Sequence, residues 1–317
     1  MTPRTRSRLL NVLKVVVSLG ALALLLSSVD LEEVMRELGQ MRWLPFLSAL
    51  GLFLTGSLVR AYRWGVLVWA LDVHVSWWRL VSLYFVGAFF GQFLPTGVGG
   101  DAVKMYELSR DDHKAAAAIS SVLVDRFLGL FVLFAMALVA LIAGAGMIEP
   151  RLQALIAAVF FTSLVAVAVV LQRTWMERWG RRLHLDRLAG RVKIVRELYE
   201  SIHLYGPGPL LRATVASIVW NLILILGYYL LGRAVGITLS LWYYFLLVPI
   251  ISALLMLPSV GGLGVREGGT IVLFVQAGVA EVQAGALAGA YLLTNWTTAL
   301  VGAILYVVQG LRGARGI

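Results

Sequence analysis

Apolar runs of about 20 residues, each enough to cross a hydrocarbon core, recur along this chain from one end to the other. With the shorter runs 241–257 and 268–280, the apolar stretches cover 9–29, 43–70, 79–98, 115–144, 153–172, 209–236, 241–257, 268–280 and 283–309 of 317 residues. In lipid every backbone N–H and C=O must find its partner within the protein, which leaves helices or closed barrels, and runs this long without alternation are helical. With 60% hydrophobic and 14% charged side chains the chain is too apolar for a water-soluble fold. The expectation is an all-α, polytopic membrane protein forming a single membrane domain over 1–317.

A net charge of +10 raises the question of nucleic acid, but Lys and Arg concentrate in short segments between the apolar runs, where they act as topology signals. Nucleic acid is therefore not an expected partner. Arg4, Arg6 and Arg8 precede the run 9–29 in the manner of a signal peptide, yet the run is too long and ends in Ser27-Ser28-Val29-Asp30 without a small-residue cleavage pattern. It is expected to span. The following loop carries Asp30, Glu32, Glu33 and Glu37 against Arg36 and Arg42, so the chain starts in the cytoplasm.

The polar stretch 173–208 holds Arg173, Arg178, Arg181, Arg182, Arg187, Arg191, Lys193 and Arg196 against Glu177, Asp186, Glu197 and Glu200, which assigns it to the cytoplasm. Val192, Val195, Tyr199 and Ile202 recur there at helical spacing, and Trp175 and Trp179 suit the headgroup level, so an interfacial helix or linker is expected. Arg312 and Arg315 place the C-terminus inside as well. With no cysteine, disulfides and thiolate metal sites are excluded.

These orientations make two segments start and end on one face. The stretch 79–103 begins and ends inside and is broken by Pro95, Gly97, Gly99 and Gly100; the stretch 241–280 begins and ends outside and is broken by Pro258, Gly261, Gly262 and Gly264. Each reads as a re-entrant hairpin. The breaks also share letters, Leu94-Pro95-Thr96 and Gly99-Gly100 with Val103-Lys104 against Leu257-Pro258-Ser259 and Gly261-Gly262 with Val265-Arg266. About six spanning helices plus two hairpins follow, in an inverted-topology repeat of 43–144 and 209–309. Broken segments at matching positions are the mark of transporters whose sites lie where the breaks meet. The competing account is that paired glycines only let helices pack closely.

Charged side chains at membrane depth need a partner or a purpose. Lys104 and Arg266 each fall within about a turn of an expected half-helix N-terminus, where the helix dipole disfavours a cation unless an anion is bound. With Gly99, Gly100, Gly261 and Gly262 they make candidate phosphate or carboxylate sites, and Asp101 and Glu267 are candidates to orient the bases or to accept substrate hydroxyls. The plainer alternative makes Asp101/Lys104 and Arg266/Glu267 capping groups and salt bridges at the membrane surface. Asp125 and Arg126 are adjacent and so point about 100° apart on a helix, which prevents simple mutual neutralisation; at least one should reach another helix or a cavity. Arg60 and Arg63 share with Arg126 the option of snorkelling to the interface, while Arg63, Asp125 and Arg126 are also candidate substrate contacts. Gln92, just before the first break, is a further candidate contact.

Signatures of hydrolase, metalloprotease and nucleotide-binding sites are absent, and His74, His113, His184 and His203 lie in or beside polar segments. No catalytic role, metal or cofactor is expected. Asp101, Asp125 and Glu267 could relay protons.

Three stretches, Phe89-Phe90-Gly91-Gln92-Phe93-Leu94-Pro95 through Gly99-Gly100-Asp101, Ser121-Val122-Leu123-Val124-Asp125-Arg126-Phe127-Leu128-Gly129-Leu130, and Leu257-Pro258-Ser259 through Gly264-Val265-Arg266-Glu267-Gly268, resemble the flippase-like family named for the transmembrane region of lysylphosphatidylglycerol synthase. The resemblance spans nearly the whole chain and implies movement of a lipid or lipid-linked headgroup between leaflets. Members often carry Asn at the position of Gln92 and Pro at that of Val260. Bifunctional members continue into a soluble aminoacyl-transferase domain; the chain closes at Ile317 after its last helix, so lipid aminoacylation is not expected of it.

The expected function is that of a flippase or transporter in a bacterial-type inner membrane. Its substrate would be an anionic phospholipid or polyprenyl-phosphate glycan, held by Lys104, Arg126 and Arg266 while the tail stays in lipid. Two alternatives carry different expectations: a non-transporting partner of a glycosyltransferase or lipid-synthesis enzyme, and a small-solute carrier.

Overall fold

The computed structural model describes residues 31–93, 99–110, 115–143, 150–171, 204–255 and 262–313. The run 9–29, the break residues 94–98 and 256–261 (Gly261 among them) and nearly all of the polar stretch 173–208 lie outside them. Among the described residues there are ten helices and no strand. We number them α1 (Leu31–Gly39), α2 (Trp43–Trp69), α3 (Trp77–Phe93), α4 (Gly99–Arg110), α5 (Ala115–Ala143), α6 (Pro150–Leu171), α7 (Pro207–Ala234), α8 (Leu241–Leu254), α9 (Val265–Gln276) and α10 (Glu281–Gly313).

Four of them, α2, α5, α7 and α10, are long and apolar enough to cross a bilayer. The 27 residues of α2 alone extend about 40 Å. Leu44, Leu47, Val139, Ile142, Leu211, Val215, Leu300 and Ile304 stand exposed on these helices, which suits lipid and not water. α6 covers the expected fourth span, 153–172. By contrast α3, α4, α8 and α9 have 17, 12, 14 and 12 residues, and each falls short of the roughly 20 that a perpendicular span requires.

Helix ends explain how the long helices turn into the short ones. α7 closes on Gly236 at φ +80°, with Ile237 N–H donating to Gly232 O at 2.8 Å and Gly236 N–H to Arg233 O at 3.4 Å. This double bond to the last turn is a Schellman cap, which needs a left-handed residue. α2 ends the same way: Asp72 takes φ +55°, Val73 N–H donates to Val68 O and Asp72 N–H to Trp69 O. α9 closes identically on Gly278.

The chain forms two compact units that do not follow chain order. The first comprises Met1–Leu58, Val81–Val103 and Leu222–Ile317, the second Val59–Leu80 and Lys104–Asn221, and the boundaries cut α2, α3, α4 and α7.

Within the first unit helices approach backbone to backbone. A Cβ on Gly302 of α10 would fall inside the van der Waals radius of Phe85 O on α3, and one on Gly100 of α4 inside that of Gly87 O on α3. Since a carbonyl cannot rotate away, Gly302→Ala must push α10 from α3 and is expected to destabilise by about 1–3 kcal/mol. Gly51→Ala, with nothing within 4 Å of the added carbon, should instead be neutral or slightly stabilising. Thermal unfolding of the two purified variants checks the pair, and equal midpoints would refute the packing account.

In the second unit Tyr205, just ahead of α7, packs with Leu67 and Ala213, and burial raises its phenol well above the ordinary tyrosine range.

Candidate functional site

Within the second unit, Arg63 on α2 is 3% exposed and Asp125 on α5 is 2% exposed, and the two form a two-pronged ion pair. Arg63 Nε donates to Oδ1 at 2.6 Å and Nη2 to Oδ2 at 2.8 Å. The third arm, Nη1, donates to Ser217 Oγ on α7 at 3.3 Å, and Ser217 in turn donates to Ala213 O. One helical turn after Asp125, Gly129 leaves the room: a Cβ there would sit 2.6 Å from Arg63 Nη1. Asn221 Nδ2 donates to Gly129 O, fixing α7 against α5 at the same level. Asp125 thus reaches another helix while its neighbour Arg126 is exposed, as their 100° separation requires.

Beside this pair Trp64 is fully buried and donates from Nε1 to Ser121 Oγ at 3.2 Å. Lys104 Nζ lies 5.2 Å from the centre of the Trp64 ring, and Lys104 is only 5% exposed. The ring's electron-rich face offsets part of the cost of burying an ammonium. Arg60, half-buried, stacks in the same manner over Trp220 at 4.7 Å.

A second cluster lies in the first unit, at the start of α9. Gly262 and Gly264 both take left-handed φ, +80° and +78°, which turns the chain sharply into the helix. Glu267 Oε2 accepts the Gly264 N–H at 2.8 Å, so a carboxylate of the protein itself occupies the positive end of α9. Its other oxygen accepts from Arg266 Nε at 3.1 Å and Nη2 at 2.8 Å. Glu267 therefore takes one edge of the guanidinium, and among the described residues Nη1 on the other edge has no acceptor. Arg266 also lies over Tyr291 at 5.1 Å; Tyr291 stacks on Tyr228 at 4.4 Å and receives the edge of Phe53 at 5.5 Å. Both charged residues are buried, at 5% and 6% exposure.

The remaining sequence candidates sit at the junction of α3 and α4, also in the first unit. Gln92, Gly99 and Asp101 are buried, and Gly100 is turned against Gly87, so close helix packing uses that face of the glycine. Lys104 follows on the same helix but belongs to the second unit. Among the described residues no His, Asp and Glu side chains gather closely enough to hold a metal ion.

Sequence reasoning missed the uncharged half of both clusters. Ser217 and Asn221, four apart inside an apolar run, could have been read as a polar stripe on α7. Tyr228, Tyr291 and Phe53 carry no comparable signal, because aromatic residues at helical spacing are ordinary core.

A search of curated proteins found no match. The sequence profile described as the lysylphosphatidylglycerol synthase TM region matches residues 11–302. With four helices long and apolar enough to cross a bilayer, this match makes the chain an integral membrane protein that belongs to the family of the lysylphosphatidylglycerol synthase TM region.

Proposed function

We propose that the protein is a lipid flippase or transporter that passes an anionic phospholipid or polyprenyl-phosphate headgroup between the leaflets of a cytoplasmic membrane, with both termini on the cytoplasmic side and without catalytic chemistry. The observation that carries this reading is Arg266. Arg266, a buried arginine at the start of a short helix, presents Nη1 without an acceptor among the described residues, and a phosphate oxygen is the natural acceptor for that edge.

The pairing of short helices supports two hairpins. α3 and α4 touch at Gly87 and Gly100, close to the break between them, and α8 and α9 touch at Leu254 and Gly269. The inverted repeat gains support from the helix ends, because α2 and α7 open the two halves and both close on a Schellman cap before a short helix. Lys104, stacked on Trp64, is a second candidate base for the headgroup; Arg63 and Asp125 hold helices instead, since their charges are mutually satisfied.

Reconstitution tests the proposal. In phosphatidylcholine vesicles carrying a trace of fluorescent phosphatidylglycerol, the wild-type protein is expected to expose inner-leaflet probe to a membrane-impermeant quencher far faster than protein-free vesicles do. Arg266→Gln should slow that exchange at least about tenfold, the loss of one charge-assisted contact. Exchange no faster than in protein-free vesicles, across phosphatidylglycerol, cardiolipin and a polyprenyl phosphate, refutes transport and favours a non-transporting partner of a lipid-synthesis enzyme.

A further inference from the structure

Gln92 stands in the last turn of α3, 7% exposed, and among the described residues its Oε1 receives no hydrogen bond. A buried acceptor without a donor is expensive to keep, and a leucine of nearly the same size would remove the expense. Its surroundings say where a donor would come from. A Cβ on the preceding Gly91 would lie 3.4 Å from the Gly100 amide nitrogen, so the last turn of α3 lies against the first turn of α4. The orphaned oxygen therefore belongs to the helical turn that abuts the start of α4, a helix whose Asp101 is also buried. Asp101 already has partners of its own. The first turn of a helix offers N–H groups to an anion, while the amide oxygen in the adjoining turn of α3 offers the opposite function, an acceptor. A phosphate ester with a free hydroxyl on its headgroup matches both.

We propose that Gln92 is a specificity-determining residue, which accepts a hydrogen bond from a hydroxyl of the transported headgroup and so separates hydroxyl-bearing anionic lipids from equally charged ones without it. The inference rests on the lipid-transport reading and deepens it. A site that hydrogen-bonds a hydroxyl rejects an analogue lacking one more strongly than an apolar pocket can, because the site's polar atom is left unpaired.

Phosphatidylglycerol and phosphatidylmethanol carry the same charge and differ in the glycerol hydroxyls. In the vesicle assay above, the wild-type protein should exchange fluorescent phosphatidylglycerol roughly tenfold faster than fluorescent phosphatidylmethanol. Gln92→Leu should bring that ratio close to one. The lipid-free thermal midpoint of the same variant should rise, since an orphaned acceptor has been removed; a purely structural glutamine would show the opposite sign. A wild-type ratio near one overturns the inference while leaving lipid transport standing, and points to an ordered water as the partner of Oε1. An unchanged ratio in Gln92→Leu overturns it as well. Should that variant fail to assemble, Gln92→Met, of the same length and without the amide, carries the same comparison. Failure of wild-type protein to exchange either lipid is a different result, which refutes transport itself.

Discussion

Asp125→Ala is expected to destabilise the protein by about 3–5 kcal/mol, the cost of stranding a buried guanidinium. Arg63 is held by both carboxylate oxygens at 2.6 and 2.8 Å, and the serine on its third arm cannot replace a charge. The double variant Arg63→Met with Asp125→Leu should recover most of the loss, because both charges leave together and the space is refilled with apolar volume. Thermal unfolding of the two single variants and the double variant gives the coupling directly. A double variant as unstable as Asp125→Ala would show that the contribution lies elsewhere, for instance in packing around Gly129. The same set separates holding from transport: if the recovered double variant still exchanges lipid at the wild-type rate, the pair ties α2, α5 and α7 and does not touch the substrate.

The long helices were legible because length and hydropathy suffice for them. The runs 43–70, 115–144, 209–236 and 283–309 became Trp43–Trp69, Ala115–Ala143, Pro207–Ala234 and Glu281–Gly313. α1 was not legible: its nine residues alternate Glu and Arg with Leu31, Val34 and Leu38, and the acidic residues read as a loop. Its helix gains little from the exposed Glu32–Arg36 pair at 3.8 Å and rests instead on buried Val34 and on Leu38 against Gly289 of α10. The start of α4 was expected near Lys104, but its extent was not, since Asp101, Lys104 and Glu107 interrupt any apolar run while the helix continues to Arg110.

At the sites, sequence reasoning reached the buried ions and, as the plainer alternative, the Arg266–Glu267 pair, but not the partner of Asp125. That Asp125 and Arg126 diverge follows from helix geometry alone; that Asp125 meets Arg63, 62 residues earlier, is tertiary structure. Glu267 was weighed both as a capping group and as a substrate contact. In the structure it divides its oxygens, Oε2 capping Gly264 and Oε1 taking one edge of Arg266.

That division makes Glu267 the sharper handle on charge. Glu267→Ala removes the cap on α9 and strands Arg266, and the combined loss should be about 4 kcal/mol. Glu267→Gln keeps an oxygen for the Gly264 N–H but no longer neutralises Arg266, so it should fold better than Glu267→Ala and carry a surplus positive charge at 95% burial. The surplus must be met by an anion. Mass spectrometry of co-purified lipid should therefore find more anionic phospholipid bound to Glu267→Gln than to wild type, and less bound to Arg266→Gln. Exchange by Glu267→Gln should be slower despite the tighter hold, because a headgroup bound more strongly at rest gains nothing in the step that releases it. Were Glu267 a cap and nothing more, the two variants would differ from wild type in thermal midpoint while carrying the same lipid, and the assignment of Arg266 to the headgroup would fall with that result.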